Sequence, residues 1–226
     1  MKRDCPVATA RPQGESLAAR YAGKTVVGIG AHPDDLEIGI GGTLAKLKKA
    51  GAHVVMVIAS IPKDFDVRLA EAQRGAEILG CDLRILIEDG PTRLEDVRKC
   101  DLVGMLDRVV KEYGPAAMLT HSSVDFHNDH LLLHNACLPT QRLAHFDFFS
   151  YHPTNCYPVP VAFHPRAYVD VSDTIDAKMH SITAHKSQFG GRGLDTEMYR
   201  EFAHMQGRMI GVPYAEGLDV QRMLLA

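Results

Sequence analysis

Apolar residues fall in short continuous runs, and between the runs they recur every three or four positions. Thr25–Ala31, His53–Ala59, Leu83–Ile87, Ala116–Thr120 and Phe146–Tyr151 read as strands. Helical spacing appears near Thr43–Ala50 and over Val67–Leu79, Leu94–Glu112 and Asp129–Arg142. In the second of these, Leu69, Ala72, Ala76 and Leu79 share one face. Gly51 and Gly80 stand where the first two helices should stop. Near-continuous apolar strands alternating with helices predict an α/β domain whose parallel sheet is covered on both faces. Past Tyr151 the pattern loosens through Pro158, Pro160 and Pro165. A strand at Ala167–Val171 and two or three closing helices follow. Residues 1–24 lack an apolar core segment and read as a flexible tail ending in a short helix, which leaves 25–226 as one domain.

Composition narrows the class without naming it. With 46% hydrophobic and 23% charged residues and a formal net charge of −3, the chain is an ordinary globular one. It lacks the clustered cationic surface that nucleic acid needs. Lys46, Lys48 and Lys49 sit at helix spacing beside Leu44 and Leu47, as a solvated helix face does. The five cysteines are scattered and odd in number, which suits reduced thiols in the cytoplasm. There is no secretory signal and no apolar run of the ~18 residues a membrane span requires.

Two polar clusters change the picture. Ala31-His32-Pro33-Asp34-Asp35 follows the first strand, and His121 through His130, containing Asp125, His127 and Asp129, follows the fourth. Ligands of open α/β sheets bind beyond the carboxyl ends of the strands, so the clusters can meet in one crevice. Adjacent carboxylates repel unless a positive charge sits among them. Imidazole and carboxylate donors suit a divalent metal, with His32 and Asp35 on one loop and His130 on the other. Plainer roles exist: Asp34 or Asp35 and Asp129 can cap the helices that follow, and Arg68 with Glu71, three apart, can form a surface ion pair. His185, Lys186 and Gln188 can be a helix terminus with no function. Two other functions also stay open. Two His and one carboxylate make the facial triad of a non-haem iron enzyme. Gly28-Ile29-Gly30 after a strand suggests a nucleotide-binding module, although Pro33 stands where that fingerprint needs glycine.

The stretch A-H-P-D-D-L-E-I-G-I-G-G-T, Ala31 to Thr43, together with H-N-D-H, His127 to His130, resembles the LmbE/PIG-L family of zinc-dependent N-deacetylases. The resemblance extends to R-L-A-E from Arg68 to Glu71, to H-K-S-Q-F from His185 and to Y-A-E-G from Tyr214. It implies a three-layer, Rossmann-like α/β fold with a mainly parallel sheet and its active site at the carboxyl ends of the strands. It also implies removal of an N-acetyl group from an N-acetylglucosamine-type conjugate. By this resemblance His32, Asp35 and His130 hold zinc, or another divalent metal such as Fe2+. Asp34 is the general base, and His127, as a cation, steadies the oxyanion or protonates the leaving amine. Asp129 orients a histidine from behind, and Arg68 reaches the substrate. The implied partners are a small N-acetylated amino sugar and further copies of the chain, as a trimer or hexamer. Two departures stand out: Asp125 where some members carry tyrosine, and His152 where many carry an acidic residue.

Overall fold

The computed structural model describes residues 16–151, 163–190 and 195–225. Residues 1–15 of the tail, and with them Cys5, fall outside these, as do His152, Cys156, Pro158 and Pro160. Seven strands form one sheet in the order β3-β2-β1-β4-β5-β7-β6. β1 (Thr25–Gly30), β2 (His53–Ile58), β3 (Asp82–Ile85), β4 (Ala117–His121) and β5 (Asp147–Tyr151) are parallel. β6 (Ala167–Asp170) forms the edge, and β7 (Ala215–Arg222) lies antiparallel between β5 and β6. The helices are α1 (Leu17–Arg20), α2 (Asp35–Lys49), α3 (Phe65–Leu79), α4 (Lys99–Tyr113), α5 (Asn128–Cys137), α6 (Ile175–Ala184), α7 (Lys186–Phe189) and α8 (Glu197–Ile210). Among the described residues, no helix is long and apolar enough to cross a membrane.

Alternation along each strand produces two cores. Val26, Val54, Met56, Leu119 and Phe149 point to one face, while Val27, Val55, Val57, Met118 and Phe148 point to the other. All ten are essentially inaccessible to water, and each such side chain contributes roughly 1.5–3 kcal/mol. The continuous apolar runs in the sequence are therefore strands buried on both faces.

The short helix expected at the end of the tail is α1, which Ser16 caps, and the buried Tyr21 hydroxyl after it donates to Asp147 at 2.6 Å. Four other expectations need correction. The helix expected over Leu94–Glu112 is a 3-10 turn at Leu94–Asp96 followed by α4, and the one expected over Asp129–Arg142 ends as a 3-10 turn at Leu138–Arg142. β7 stands where only helices were expected. Finally, α2 begins at Asp35 rather than Thr43, and it runs through the glycine-rich stretch with a kink at Ile40 (φ −143°, ψ 20°).

Those glycines are a packing solution. A Cβ on Gly39 would lie 2.5 Å from the Tyr151 ring, and one on Gly42 would lie 2.8 Å from Val171. The kink strips backbone groups of their helical partners, and a buried ion pair replaces them. Glu216 on β7 accepts from the N–H groups of Gly42 (3.0 Å) and Thr43 (2.7 Å). Lys178 on α6 donates to the carbonyl of Ile38 (2.7 Å) and to Glu216 (2.5 Å). Gly39→Ala is expected to cost about 1–3 kcal/mol through overpacking, outweighing the ~1 kcal/mol that alanine gains in a helix. Thermal unfolding checks this; an unchanged or higher Tm would show that Tyr151 can move aside freely.

Candidate metal centre and active site

β1 is the point where the chain turns both ways. β2 pairs on one side of it and β4 on the other, the switch at which open α/β sheets form their crevice. The loops after β1 and β4 meet there and line a cleft of about 550 Å³. His32, Asp34, Asp35, Arg68, His127, Asp129 and His130 all line it, so every residue given a role in the site from the sequence reaches one place.

Neither helix-capping role applies to the carboxylates proposed for it. Asp34 precedes α2 with φ +94°, a left-handed conformation rare outside glycine, and makes no side-chain cap bond. The cap of α5 is His127, whose Nδ1 accepts from the N–H of Asp129 at 3.2 Å. Asp129 turns instead to His32, with Oδ2 3.0 Å from its Nε2. Nor do Arg68 and Glu71 pair. Arg68 is buried, donates to the carbonyl of Pro33 at 2.9 Å and lies 3.7 Å from Asp34. Glu71 binds Ser187.

The hydrogen bonds made by the ring nitrogens decide which lone pairs can reach a metal. His130 donates from Nδ1 to Asp125 at 2.8 Å, leaving Nε2 to face Asp35 Oδ1 at 3.4 Å. His32 uses Nε2 on Asp129, leaving Nδ1 3.7 Å from Asp35 Oδ2. The Asp35 carboxylate is itself aimed by the His32 N–H, 2.8 Å from Oδ2. His121, at the end of β4, spends Nε2 on the N–H of Ala31 at 3.0 Å. With Nδ1 committed to Asp129, a neutral His127 presents an Nε2–H donor rather than a lone pair. Donors bound at about 2.0–2.2 Å around a tetrahedral ion lie roughly 3.3–3.6 Å apart, and the pairs containing Asp35 are close to that. By distance alone the donors form two overlapping triads, His32–His127–His130 and Asp35–His121–His130. Neither triad contains His32, Asp35 and His130 together, but His32 Nδ1 and His130 Nε2 both face the Asp35 carboxylate, and imidazole with carboxylate is donor chemistry that fits a divalent ion.

The electrostatics agree with a site built around positive charge. Burial opposes charge on His130, yet the flanking Asp35 and Asp125 carboxylates raise its pKa to about 10. Burial would raise the pKa of Asp35, but His130 and His121 draw it well below the usual range. Asp34 differs from its neighbour: burial and the charge of Asp35 push its carboxyl up to about 7. Burial and the neighbouring His130 lower the pKa of His127.

Several partners escaped the sequence reading. His121 and Asp125 lay inside the quoted cluster, but only the loop geometry stacks His121 on His130 (ring centroids 3.9 Å apart) and turns Asp125 towards it. Glu37 and His185 form a fully buried pair at 2.9 Å behind the Asp34 turn. Gly75 leaves room for it, since a Cβ there would lie 2.4 Å from Glu37 Oε1.

Residues 27–140 match the family model described as PIG-L, GlcNAc-PI de-N-acetylase. Diacetylchitobiose deacetylase of Thermococcus kodakarensis is 30% identical over 227 residues, covering 86% of this chain and 82% of the relative. The chain belongs to the PIG-L family. A conserved protein of Thermus thermophilus superposes on this PIG-L member with a TM-score of 0.73 at 26% identity, covering 90% of this chain and 96% of the other. GalB, the 4-carboxy-2-hydroxymuconate hydratase of Pseudomonas putida, gives 0.76 at 22% identity, over 90% and 98%. The second likeness is one of fold alone. An architecture shared with a hydratase does not choose the reaction; the side chains must. Around Gly28 and Gly30, the glycines that suggested a nucleotide-binding module, the space is filled by side chains: a Cβ on Gly28 would lie 3.2 Å from Leu36, and one on Gly30 3.2 Å from Asp35 and Leu36.

Proposed function

We propose that the chain is a zinc-dependent N-deacetylase acting on an N-acetylglucosamine-type amino-sugar conjugate. The observation that carries this reading is the pairing of the His32, Asp35 and His130 donors with a neighbouring carboxylate, Asp34, that makes no cap bond and belongs to neither donor triad. The deacetylase activity named for the Thermococcus relative supports an N-acetylated sugar as substrate. A divalent ion held by the three donors supplies Lewis acidity, lowering the pKa of water towards about 7 and polarising the amide carbonyl.

The chain's own groups do the rest. Asp34 takes the proton of the attacking water as its oxygen bonds to the carbonyl carbon. His127 offers Nε2–H to the oxygen on which negative charge develops, and losing one such donor costs on the order of 2.7–4 kcal/mol. The C–N bond then breaks, and the proton held by Asp34 passes to the leaving nitrogen, giving acetate and a free amine. Asp129 and Asp125 keep His32 and His130 oriented, and loss of such partners commonly costs about 10–100-fold in metal affinity or activity. Arg68 holds the Pro33–Asp34 turn at the cleft wall, where its guanidinium also meets the sugar.

Acetate release from N,N'-diacetylchitobiose, measured with and without a chelator, tests the reading. Chelation is expected to abolish release, and zinc is expected to restore it. Restoration by Fe2+ alone would correct the metal. Turnover that survives complete metal removal would overturn the mechanism.

A further inference from the structure

One wall of the cleft stands on a helix too small to hold itself. α7 is four residues long and buries none of them, and a single helical turn is unstable in isolation. Yet it brings Gln188 and Phe189 to the cleft that Asp34, Arg68 and His127 also line. Two polar struts fix its place. At its start, the buried His185 ring is held by Glu37, and the His185 carbonyl accepts from the N–H groups of Gln188 (3.0 Å) and Phe189 (3.1 Å). One residue on, Glu71 of α3 grips Ser187 twice: Oε1 accepts from its N–H at 2.7 Å and Oε2 from its hydroxyl at 2.6 Å. Gln188 in turn donates from Nε2 to the Ser187 oxygen at 3.1 Å. Hydrogen bonds to an ionised carboxylate are about twice as strong as neutral ones, and here they add to an apolar hold on the helix, the half-buried Phe189 packed against the cluster that contains Met179 and beside the Tyr199 ring. Glu71 is not among the cleft-lining residues. It lies one turn from Arg68 on the same helix, so α3 both lines the cleft directly and sets the opposite end of the Ser187 contact.

We propose that Glu71 is a positioning residue for the deacetylation: through Ser187 it fixes Gln188 and Phe189 as the wall against which the sugar rests. It governs how tightly substrate binds rather than how fast the amide is cleaved. This rests on the cleft being the N-deacetylase site. Glu71 tests the idea better than Glu37, because Glu37 shares the first turn of α2 with Asp35 and its loss would disturb the metal donors as well.

The experiment compares Glu71→Ala, Glu71→Gln, Ser187→Ala and the Glu71→Ala/Ser187→Ala double variant in the zinc-loaded protein, with N,N'-diacetylchitobiose as the probe. Glu71→Ala is expected to raise KM about tenfold, with kcat held within about twofold. Glu71→Gln keeps a carbonyl acceptor and can donate to the serine oxygen, so its KM should stay within about threefold of the parent. Ser187→Ala should fall between, and the double variant should be no worse than Glu71→Ala alone, as expected when two residues share one contact. Hydrogen exchange of the 185–190 segment supplies a readout that needs no substrate, and Glu71→Ala should speed it about tenfold. Unchanged exchange would overturn the strut. A loss of kcat at constant KM, or equal losses in Glu71→Ala and Glu71→Gln, would overturn the positioning role. If the parent protein releases no acetate at all, the assigned activity falls, and the substrate half of the inference falls with it. The exchange result then still decides whether Glu71 holds α7.

Discussion

Asp34→Asn is expected to keep its bound metal and its fold while losing about 10²–10⁴-fold in kcat, the range of general-base help. Asparagine matches aspartate in size and can still hydrogen-bond, but it accepts no proton near neutral pH. The pH dependence has a definite sign. The base works as the carboxylate, so kcat/KM should rise with pH through the Asp34 pKa and fall below it. That pKa is pushed up to about 7 by burial and by the charge of Asp35, and a cation beside it lowers it again. The acid limb of the loaded enzyme should therefore lie below pH 7, and it should flatten in Asp34→Asn. Asp35→Asn should instead shed metal first, because the amide lacks the charge that holds the ion. Metal analysis of both variants decides: if Asp34→Asn loses the ion and Asp35→Asn keeps it, the two roles are reversed.

Lys178→Met is expected to be the most destabilising single change away from the cleft. Lys178 and Glu216 are both buried, and removing one partner of such a pair typically costs about 3–5 kcal/mol, because the other charge stays buried and uncompensated. Here the loss also frees the Ile38 carbonyl at the kink of α2. Denaturant unfolding measures the cost, and adding Glu216→Gln should recover part of it by removing the stranded charge. A cost below about 1 kcal/mol would mean that water or another group takes the place of the lysine.

β1, β2 and β4 were legible because burial on both faces leaves a nearly unbroken apolar run; the edge strand β3 exposes Asp82 and Arg84, and β5 carries Asp147 and Ser150, yet each keeps enough apolar residues to read as a strand. β7 was not. Its sequence, Ala215–Arg222, carries Glu216, Asp219 and Arg222, and it earns its place through a buried carboxylate and antiparallel pairing that no local pattern announces. The early start of α2 was hidden for the opposite reason. Gly39, Gly41 and Gly42 argue against helix by propensity, while their close neighbours Tyr151, Lys178 and Val171 come from distant parts of the chain. At the site, the two clusters were readable because each is local and each follows a strand. Which carboxylate serves which histidine was not, since Asp129 turns back to His32 while Asp125 serves His130. Arg68 and Glu71 show the limit most plainly: helical spacing suggests that they meet, but each has a stronger partner in another element.

The brace on α2 also fixes when the site can come into being. The helix is made well before Glu216, which holds Gly42 and Thr43 from 174 and 173 residues further along the chain. Among the described residues β6 pairs only with β7, so it has no strand neighbour there until residues 215–222 lie beside it. Domains fold as units. A nascent chain that carries the loops after β1 and β4 but not yet β7 lacks the support that sets the helix bearing Asp35. Until β7 is in place, the loops after β1 and β4 carry side chains whose supporting helix is not yet braced.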